Sequence, residues 1–457
     1  MKHYITISVI AAAALASCTQ NEDFTSQYNE KAKTMKFDVA YVGKNTRATG
    51  DITSIDNKKF ILWGAAYKTS TSTSEGGTTT ETVASTGIWI TDQEPLYFKK
   101  GTSYWEGYKE EACSNKADVA YPGNNYKTYF TAIAPSDEFE KEPEEGTSAT
   151  KATYSMNGQK SEAATSPSSS ARKLTLDKIP VVQEINNTSG SLKGTDYLIA
   201  CHNGITEEVA LQFKHLLSKL RFAVWTDENT AQGDNPTTMI ELNSLKVYLP
   251  KASATAKYVQ KAHDAVAGDW TWSGFSAPDE NGQPSTDETS GNYQLVELYD
   301  KGQNTDGKTV SYFADANTAH TSTYWESVKL DKDFFIAPTE NTTSSSSASI
   351  VKLYIDIEYT VRRKVGSNWS TTSEESKKNE AGQVYSAGHK VVKRTKMLVP
   401  INDGTHPDDS NNEGLSHFHQ GFIETLYICL RADQKVTFST NFDVDDWVKD
   451  PIDGKQL

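Results

Sequence analysis

Many short stretches of this chain place an apolar residue at every second position, and turn-forming residues separate the stretches. Met35, Phe37, Val39 and Tyr41 are the clearest case. A period of two is typical of a strand with one buried face, whereas a helix repeats its apolar residues every three or four positions. Similar stretches recur as far as Trp447, and the sequence has no long amphipathic helical pattern. The sequence therefore predicts an all-β chain built from β-sandwiches rather than from a βαβ sheet.

Composition narrows the possible partners and the domain organisation. The 457 residues include 60 acidic and 46 basic side chains, which gives a net charge of −14. An acidic chain without a basic stripe is a poor ligand for a phosphate backbone, so nucleic acid is excluded as a partner. The length predicts two or three domains. A polar stretch at 226–238 marks the boundary, which predicts an N-terminal β-sandwich over 48–230 and a C-terminal one over 231–457.

The first residues predict export from the cytoplasm. A charged start and an apolar run at 4–15 lead to small residues before Cys18. This pattern is typical of a secretory signal peptide, here 1–17, and the run is too short for a membrane-spanning helix. The spacing Leu-Ala-Ser-Cys is that of a bacterial lipobox, which predicts lipidation of Cys18 and a lipidated leader over 18–47. The other interpretation is an ordinary signal peptide in which Cys18 is incidental.

Side chains that could carry chemistry are few. His417 and His419 share a strand face, with His406 upstream, but a metal site needs three or four convergent ligands. Paired carboxylates could serve glycoside hydrolysis, although acidic runs are usually solvated strand ends; the candidates are Glu144, Glu145, Asp443, Asp445 and Asp446. The sequence has no phosphate-binding Gly-rich loop and no nucleophile elbow. It therefore predicts no enzymatic activity, no metal and no cofactor, and no disulfide framework from Cys113, Cys201 and Cys429.

The nine tryptophans suggest a second function, a monomeric surface lipoprotein that binds glycans. Sugars stack on exposed aromatic rings, and Trp270 and Trp272 would share one strand face. The other interpretation is that the tryptophans belong to the core, since Trp63, Trp89 and Trp225 stand in hydrophobic strands.

Several short motifs follow the lipobox in order along the chain. They are Thr46-Arg47-Ala48-Thr49, Tyr104-Trp105, residues 129–135, 196–200, 211–220 and 334–338. The most specific is the Phe-x-His-x-x-Ser-Lys-Leu element that begins at Phe213. With these motifs the chain resembles the fimbrillin family of Bacteroides-type type V pilins (Mfa-like proteins), by motif over roughly residues 1–340 and by architecture beyond.

The resemblance implies two transthyretin-like β-sandwich domains in tandem, no catalysis, and assembly into surface fimbriae that serve adhesion. In that family a lipidated precursor reaches the outer membrane, and a trypsin-like, arginine-specific protease removes its first strand. The matching bond here joins Arg47 to Ala48. The other interpretation is a loop arginine that no protease uses. The removable strand would carry Met35, Phe37, Val39 and Tyr41.

In related pilins, a strand from the C-terminal part of a neighbouring subunit fills the vacated groove. The candidate donor strand here carries Val436, Phe438 and Phe442, although the same segment could simply close its own domain. The resemblance implies three partners: other fimbrial subunits in a homo- or hetero-polymer, the protease, and the outer membrane through the lipid anchor. The expected location is the cell surface, first as an outer-membrane lipoprotein precursor and then in an extracellular fimbrium.

Overall fold

The chain forms strands, turns and one short 3-10 helix, Ser136–Glu138, which confirms the all-β prediction for the described residues. Whether the strands make tandem transthyretin-like domains stays a prediction. A computed structural model describes residues 33–42, 55, 57–74, 77, 79–91, 94–143, 147–157, 172–185, 194–204, 206–226, 238–251, 253–260, 269–273, 293–301, 308–309, 330, 332–338, 353–365, 368–369, 375–378, 384–387, 389–399, 420–421, 423–431 and 436–443.

The strands are numbered in chain order. They are β1 Lys36–Val42, β2 Lys59–Thr73, β3 Thr79–Trp89, β4 Leu96–Lys100, β5 Trp105–Tyr108, β6 Tyr126–Ala134, β7 Phe139–Lys141, β8 Ala152–Asn157, β9 Arg172–Pro180, β10 Val182–Glu184, β11 Leu198–Gly204, β12 Glu208–His215, β13 Ser218–Trp225, β14 Thr238–Pro250, β15 Ser253–Gln260, β16 Asp269–Ser273, β17 Tyr293–Asp300, β18 Lys308–Thr309, β19 Phe334–Ile336, β20 Leu353–Val365, β21 Asn368–Trp369, β22 Glu375–Lys378, β23 Val384–Ala387, β24 His389–Val399, β25 Ile423–Leu430 and β26 Val436–Asp443.

The largest sheet closes on itself. Its eight strands run in the order β3-β2-β4-β5-β1-β12-β11-β6, and β6 also pairs with β2. That extra pairing runs from Ile61↔Ile133 to Lys68↔Tyr126, so the strands from β2 to β6 form a ring with β3 outside it. Every strand of the ring contributes apolar residues to one interior cluster, which includes Phe60, Phe98 and Phe130. We call these strands the ring and their shared interior the ring core.

Within the ring, the first half of β2 is buried on both faces. Phe60 and Leu62 belong to the ring core, whereas the alternate residues Ile61 and Trp63 belong to a second, larger cluster. Successive side chains of a strand point to opposite faces, so this division follows from the pleat. A strand buried on both faces is apolar at consecutive positions, as in Phe60-Ile61-Leu62-Trp63.

Further sheets pack around the second cluster. Their strand orders are β10-β19-β13-β25-β26, β16-β15-β9-β8-β7 and β17-β14-β20-β21, with β24 also on β20 and β18 on β14. Strands β22 and β23 form a separate hairpin. Two of these sheets combine strands from both sides of residue 230, since β13 pairs with β25 and β9 with β15. The division into 48–230 and 231–457 stays a prediction, and the hydrogen bonding crosses it.

Two separate buried polar contacts involve residues of the sequence motifs. His215 Nδ1 and Asp196 Oδ1 lie 2.8 Å apart, and both side chains are buried. Lys219 is fully buried, with its ammonium 3.4 Å from Asp333, and the same carboxylate accepts a hydrogen bond of 3.1 Å from Arg221. His215 and Lys219 belong to β12 and β13, whereas Asp196 lies just before β11 and Asp333 directly before β19, so the contacts join segments that are far apart in sequence. Cys113, Cys201 and Cys429 form no disulfide with one another.

Gly64 fixes the position of an aromatic ring in the ring core. A Cβ atom there would lie 2.4 Å from Cε1 of Phe130, whose ring centroid is 5.1 Å from that of Phe37. We expect Gly64→Ala to lower the free energy of unfolding of the uncleaved chain by about 1–3 kcal/mol, the usual cost of overpacking. Urea denaturation followed by tryptophan fluorescence measures this difference. A change below about 0.5 kcal/mol, typical of a surface site, would contradict the packing described.

Candidate functional site

Strand β1 is one member of the closed ring, although it is the first described strand of the chain. It runs parallel to β12, in a register from Lys36↔Glu208 to Val42↔Phe213. On its other side it is antiparallel to β5, where Phe37 is opposite Trp105. The residues just before β1 add further pairing, because the Met35 amide donates to the carbonyl oxygen of Val119 at 2.8 Å. The segment is therefore hydrogen-bonded along both edges.

The alternation predicted for this strand matches its burial. Met35 and Phe37 are buried, Phe37 with only 1% exposed, and Val39 is half-buried against the same cluster. The Phe37 ring packs edge-on against Phe98 and Phe130, with centroid distances of 4.8 and 5.1 Å. Burial of a large apolar side chain stabilises by roughly 1.5–3 kcal/mol, so these residues contribute substantially to the ring core. The backbone of Tyr41 lies in β1, and its side chain is outside the described residues.

Two ion pairs join β1 and the residues just before it to the start of β12. Lys33 lies 3.2 Å from Glu207, and Lys36 lies 3.3 Å from Glu208. The Lys36 ammonium also stands 5.2 Å from the ring centroid of Tyr104, which is 44% exposed. The hydrogen bond to Glu208 and the nearby Tyr104 raise the pKa of Lys36. Neither glutamate was predicted as a functional residue, although both stand directly before the apolar alternation that begins at Val209 in β12.

A cavity of about 340 Å³ lies beside the N-terminal half of β1. Its walls come from residues 34–37, from Phe98, and from the segments 102–107 and 116–119. The indole nitrogen of Trp105 is buried without a hydrogen-bond partner among the described residues. The cavity therefore lies on the β5 side of β1.

The candidate donor strand lies at the edge of another sheet. It is β26, which pairs antiparallel with β25, from Ile423↔Asp443 to Leu430↔Val436. In the order of that sheet β26 stands last, so one of its backbone edges is unpaired within the described part of the chain. Val436 is half-buried, and of Phe438 and Phe442 the structure describes the backbone alone. This placement agrees with the interpretation that β26 closes its own domain, and its role as a donor stays a prediction.

The glycan platform predicted at Trp270 and Trp272 is wrong for Trp272. This residue is 1% exposed and belongs to the larger core cluster, because β16 is the outer strand of a sheet whose inner face covers that core. Trp63 and Trp225 are also buried, as the core interpretation predicted.

Several predicted residues lie outside the described part of the chain. They are Cys18, Arg47, Ala48, Glu144, Glu145, His406, His417, His419, Asp445 and Asp446, together with the side chains of Trp89, Trp270 and Asp443. Among the residues that the structure does describe, no group of three or more His, Cys, Asp or Glu could hold a metal ion. The same residues include no helix long and apolar enough to cross a membrane.

Comparisons with known proteins add little to this description. No family model matches the sequence, and no curated protein matches it significantly. A solved "putative cell adhesion protein" from Bacteroides uniformis is 12% identical with a TM-score of 0.31, over 91% of this chain and 97% of that chain. One from Parabacteroides distasonis is 10% identical with a TM-score of 0.29, over 89% and 98%. Likenesses of this size assign neither a fold nor a function to the chain.

Proposed function

We propose that this chain is the lipoprotein precursor of a fimbrial subunit, which is cleaved after Arg47 and assembles by donor-strand exchange into surface fimbriae. The observation that carries the proposal is the position of β1. A strand near the N-terminus fills a gap between β5 and β12 in a closed ring, and its buried face, Met35 and Phe37, supplies part of the ring core. Such a strand can leave only if another strand takes its place.

The physical consequence of removing β1 favours assembly. Both neighbouring strands would lose their backbone partners along one edge, and buried amide and carbonyl groups without partners are costly. The rings of Phe98 and Phe130 would lose their contact with Phe37 and line an open apolar groove. An extended strand from a second molecule restores both the hydrogen bonds and the burial. Because donor and acceptor surfaces differ, the contact repeats from subunit to subunit and propagates a filament.

The sequence before and after β1 supports lipid anchoring of the precursor first and cleavage afterwards. The lipobox cysteine Cys18 would anchor the precursor to the outer membrane, and Arg47 follows β1 by a few residues. A cut after Arg47 would release the lipidated leader and β1 together, and would free the subunit from its anchor. Under this proposal the partners are other fimbrial subunits and an arginine-specific protease.

Limited trypsin digestion of residues 19–457 tests the proposal. We expect one early cut after Arg47, identified by mass spectrometry, followed by growth into oligomers on size-exclusion chromatography. Arg47→Gln is the matched control, and it should remain uncleaved at that bond and monomeric at the same protease dose. A cut with release of 19–47 but no assembly would indicate a tip or anchor subunit that needs another donor. If the bond resists while 69–80 or 161–171 is cut instead, strand excision is wrong.

A further inference from the structure

Removal of β1 would leave charges of opposite sign at the two ends of β12. Glu207 and Glu208 stand at its start, and their ion-pair partners Lys33 and Lys36 leave with β1. At the other end of the strand, Lys214 is exposed next to Phe213, which is opposite the last residue of β1. The vacated groove would therefore be acidic where β1 begins and basic where β1 ends.

Backbone hydrogen bonding does not set the direction of a replacing strand. β1 is parallel to β12 and antiparallel to β5. A strand inserted in the reverse direction would be antiparallel to β12 and parallel to β5. Parallel and antiparallel ladders differ only slightly in stability per residue. Charge complementarity fixes the register and suppresses wrong partners when backbone pairing leaves the choice open.

The C-terminal segment of this chain has the charge order that the groove needs. Lys435 directly precedes the alternating residues of β26, just as Lys36 precedes Phe37 in β1. Asp443, Asp445 and Asp446 follow at the other end. Inserted in the same direction as β1, this segment would place its lysine at the glutamates and its aspartates towards Lys214. In the reverse direction it would bring carboxylates to Glu207 and Glu208, where like charges repel.

We propose that Glu207, Glu208 and Lys214 select the direction and identity of the replacing strand, and that its occupant is residues 435–446 of a second copy of this chain. The inference rests on the proposed function and adds the specificity determinants of the groove. On the β5 side Lys116 keeps its partner Glu106 at 2.8 Å, whereas Glu207 and Glu208 would lose their lysine partners with β1. Within the described part of the chain β26 pairs with β25 alone, so its release breaks that one ladder.

Binding of synthetic peptides to the trypsin-processed chain tests the proposal. The probes are a 433–446 peptide, its Lys435→Glu variant, and a 33–47 peptide that carries β1 itself. We expect reversal of the groove charges, Glu207→Lys with Glu208→Lys, to weaken binding of the 433–446 peptide about tenfold at low ionic strength. The Lys435→Glu peptide should restore the affinity of that variant to within about threefold, and about 1 M salt should abolish the differences.

A matched control and an orientation measurement complete the test. Glu94→Lys reverses an exposed charge whose partner is Lys141, outside the groove, and should leave peptide affinity unchanged. With Thr206→Cys in the groove, a peptide carrying Gln434→Cys should form a disulfide and one carrying Val444→Cys should not. The opposite pattern would overturn the proposed direction.

The outcomes separate this inference from the proposed function. If the 33–47 peptide binds but the 433–446 peptide does not, the groove exists and the occupant is wrong. If the 433–446 peptide binds and charge reversal changes its affinity less than twofold, the selection by β12 is wrong and donor-strand exchange stands. If neither peptide binds after release of β1, the proposed function fails and the inference fails with it.

Discussion

Phe37→Ala should lower the stability of the uncleaved chain by about 3–5 kcal/mol, the usual cost of truncating a buried phenylalanine. The side chain is 1% exposed, and its ring packs edge-on against Phe98 and Phe130, so its loss leaves a cavity that the ring of strands cannot easily fill. Denaturant unfolding of the variant and the parent, both uncleaved, measures the difference.

The same substitution should have no effect once β1 has been released. Cleavage after Arg47 gives both proteins the same remaining chain, 48–457, so the rate and extent of their assembly should be identical. Asp38→Ala is the matched control within the same strand, because Asp38 is exposed, and it should change the stability of the uncleaved chain by less than about 0.5 kcal/mol. A Phe37→Ala protein that still differs after cleavage would show that β1 remains bound, which contradicts strand exchange.

Asp333→Ala should destabilise the chain by about 3–5 kcal/mol, because breaking a buried ion pair leaves a charge in a poorly solvated site. Lys219 is fully buried, 3.4 Å from this carboxylate, and Arg221 donates a hydrogen bond to the same oxygen. The expected loss is therefore larger than for any exposed ion pair of the described chain. Thermal or urea denaturation of the uncleaved protein measures it.

A double-mutant cycle isolates the ion pair from other effects of the substitution. Lys219→Met removes the buried ammonium. The loss in free energy of unfolding of the double variant should therefore be smaller, by at least about 1 kcal/mol, than the sum of the losses of the two single variants. Glu94→Ala is the control, since Glu94 and its partner Lys141 are both exposed and such pairs contribute about 0–1 kcal/mol. Additive losses for Asp333 and Lys219 would contradict a direct interaction.

Some features of the candidate site depend on neighbouring residues alone, and others depend on pairing between distant segments. The alternation of Met35, Phe37 and Val39 predicted a strand with one buried face, and β1 has that face, because the side-chain period is a property of the strand itself. The partners of β1 could not be predicted. Lys36 and Glu208 are 172 positions apart, and no local pattern indicates which of many alternating segments will lie side by side.

The burial of Lys219 could likewise not be predicted from a local pattern. The element from Phe213 to Leu220 was recognised as a motif, but nothing in it indicates that Lys219 is buried. The reason is visible only in the fold, where β13 lies between β19 and β25 and brings Asp333 to the lysine. The burial of Trp272 also depends on the fold, because the spacing of Trp270 and Trp272 along a strand fits an exposed face and a buried face equally well.

The sequence by itself determined the secondary-structure class and the apolar face of β1, and it predicted export and cleavage. These are local properties, fixed by neighbouring residues and by the strand period. Only the tertiary structure decided that β1 closes a ring between β5 and β12 and that Lys33 and Lys36 pair with Glu207 and Glu208 at the start of β12. Strand order and direction depend on hydrogen bonds and packing between distant segments, and many pairings are compatible with the same alternating pattern.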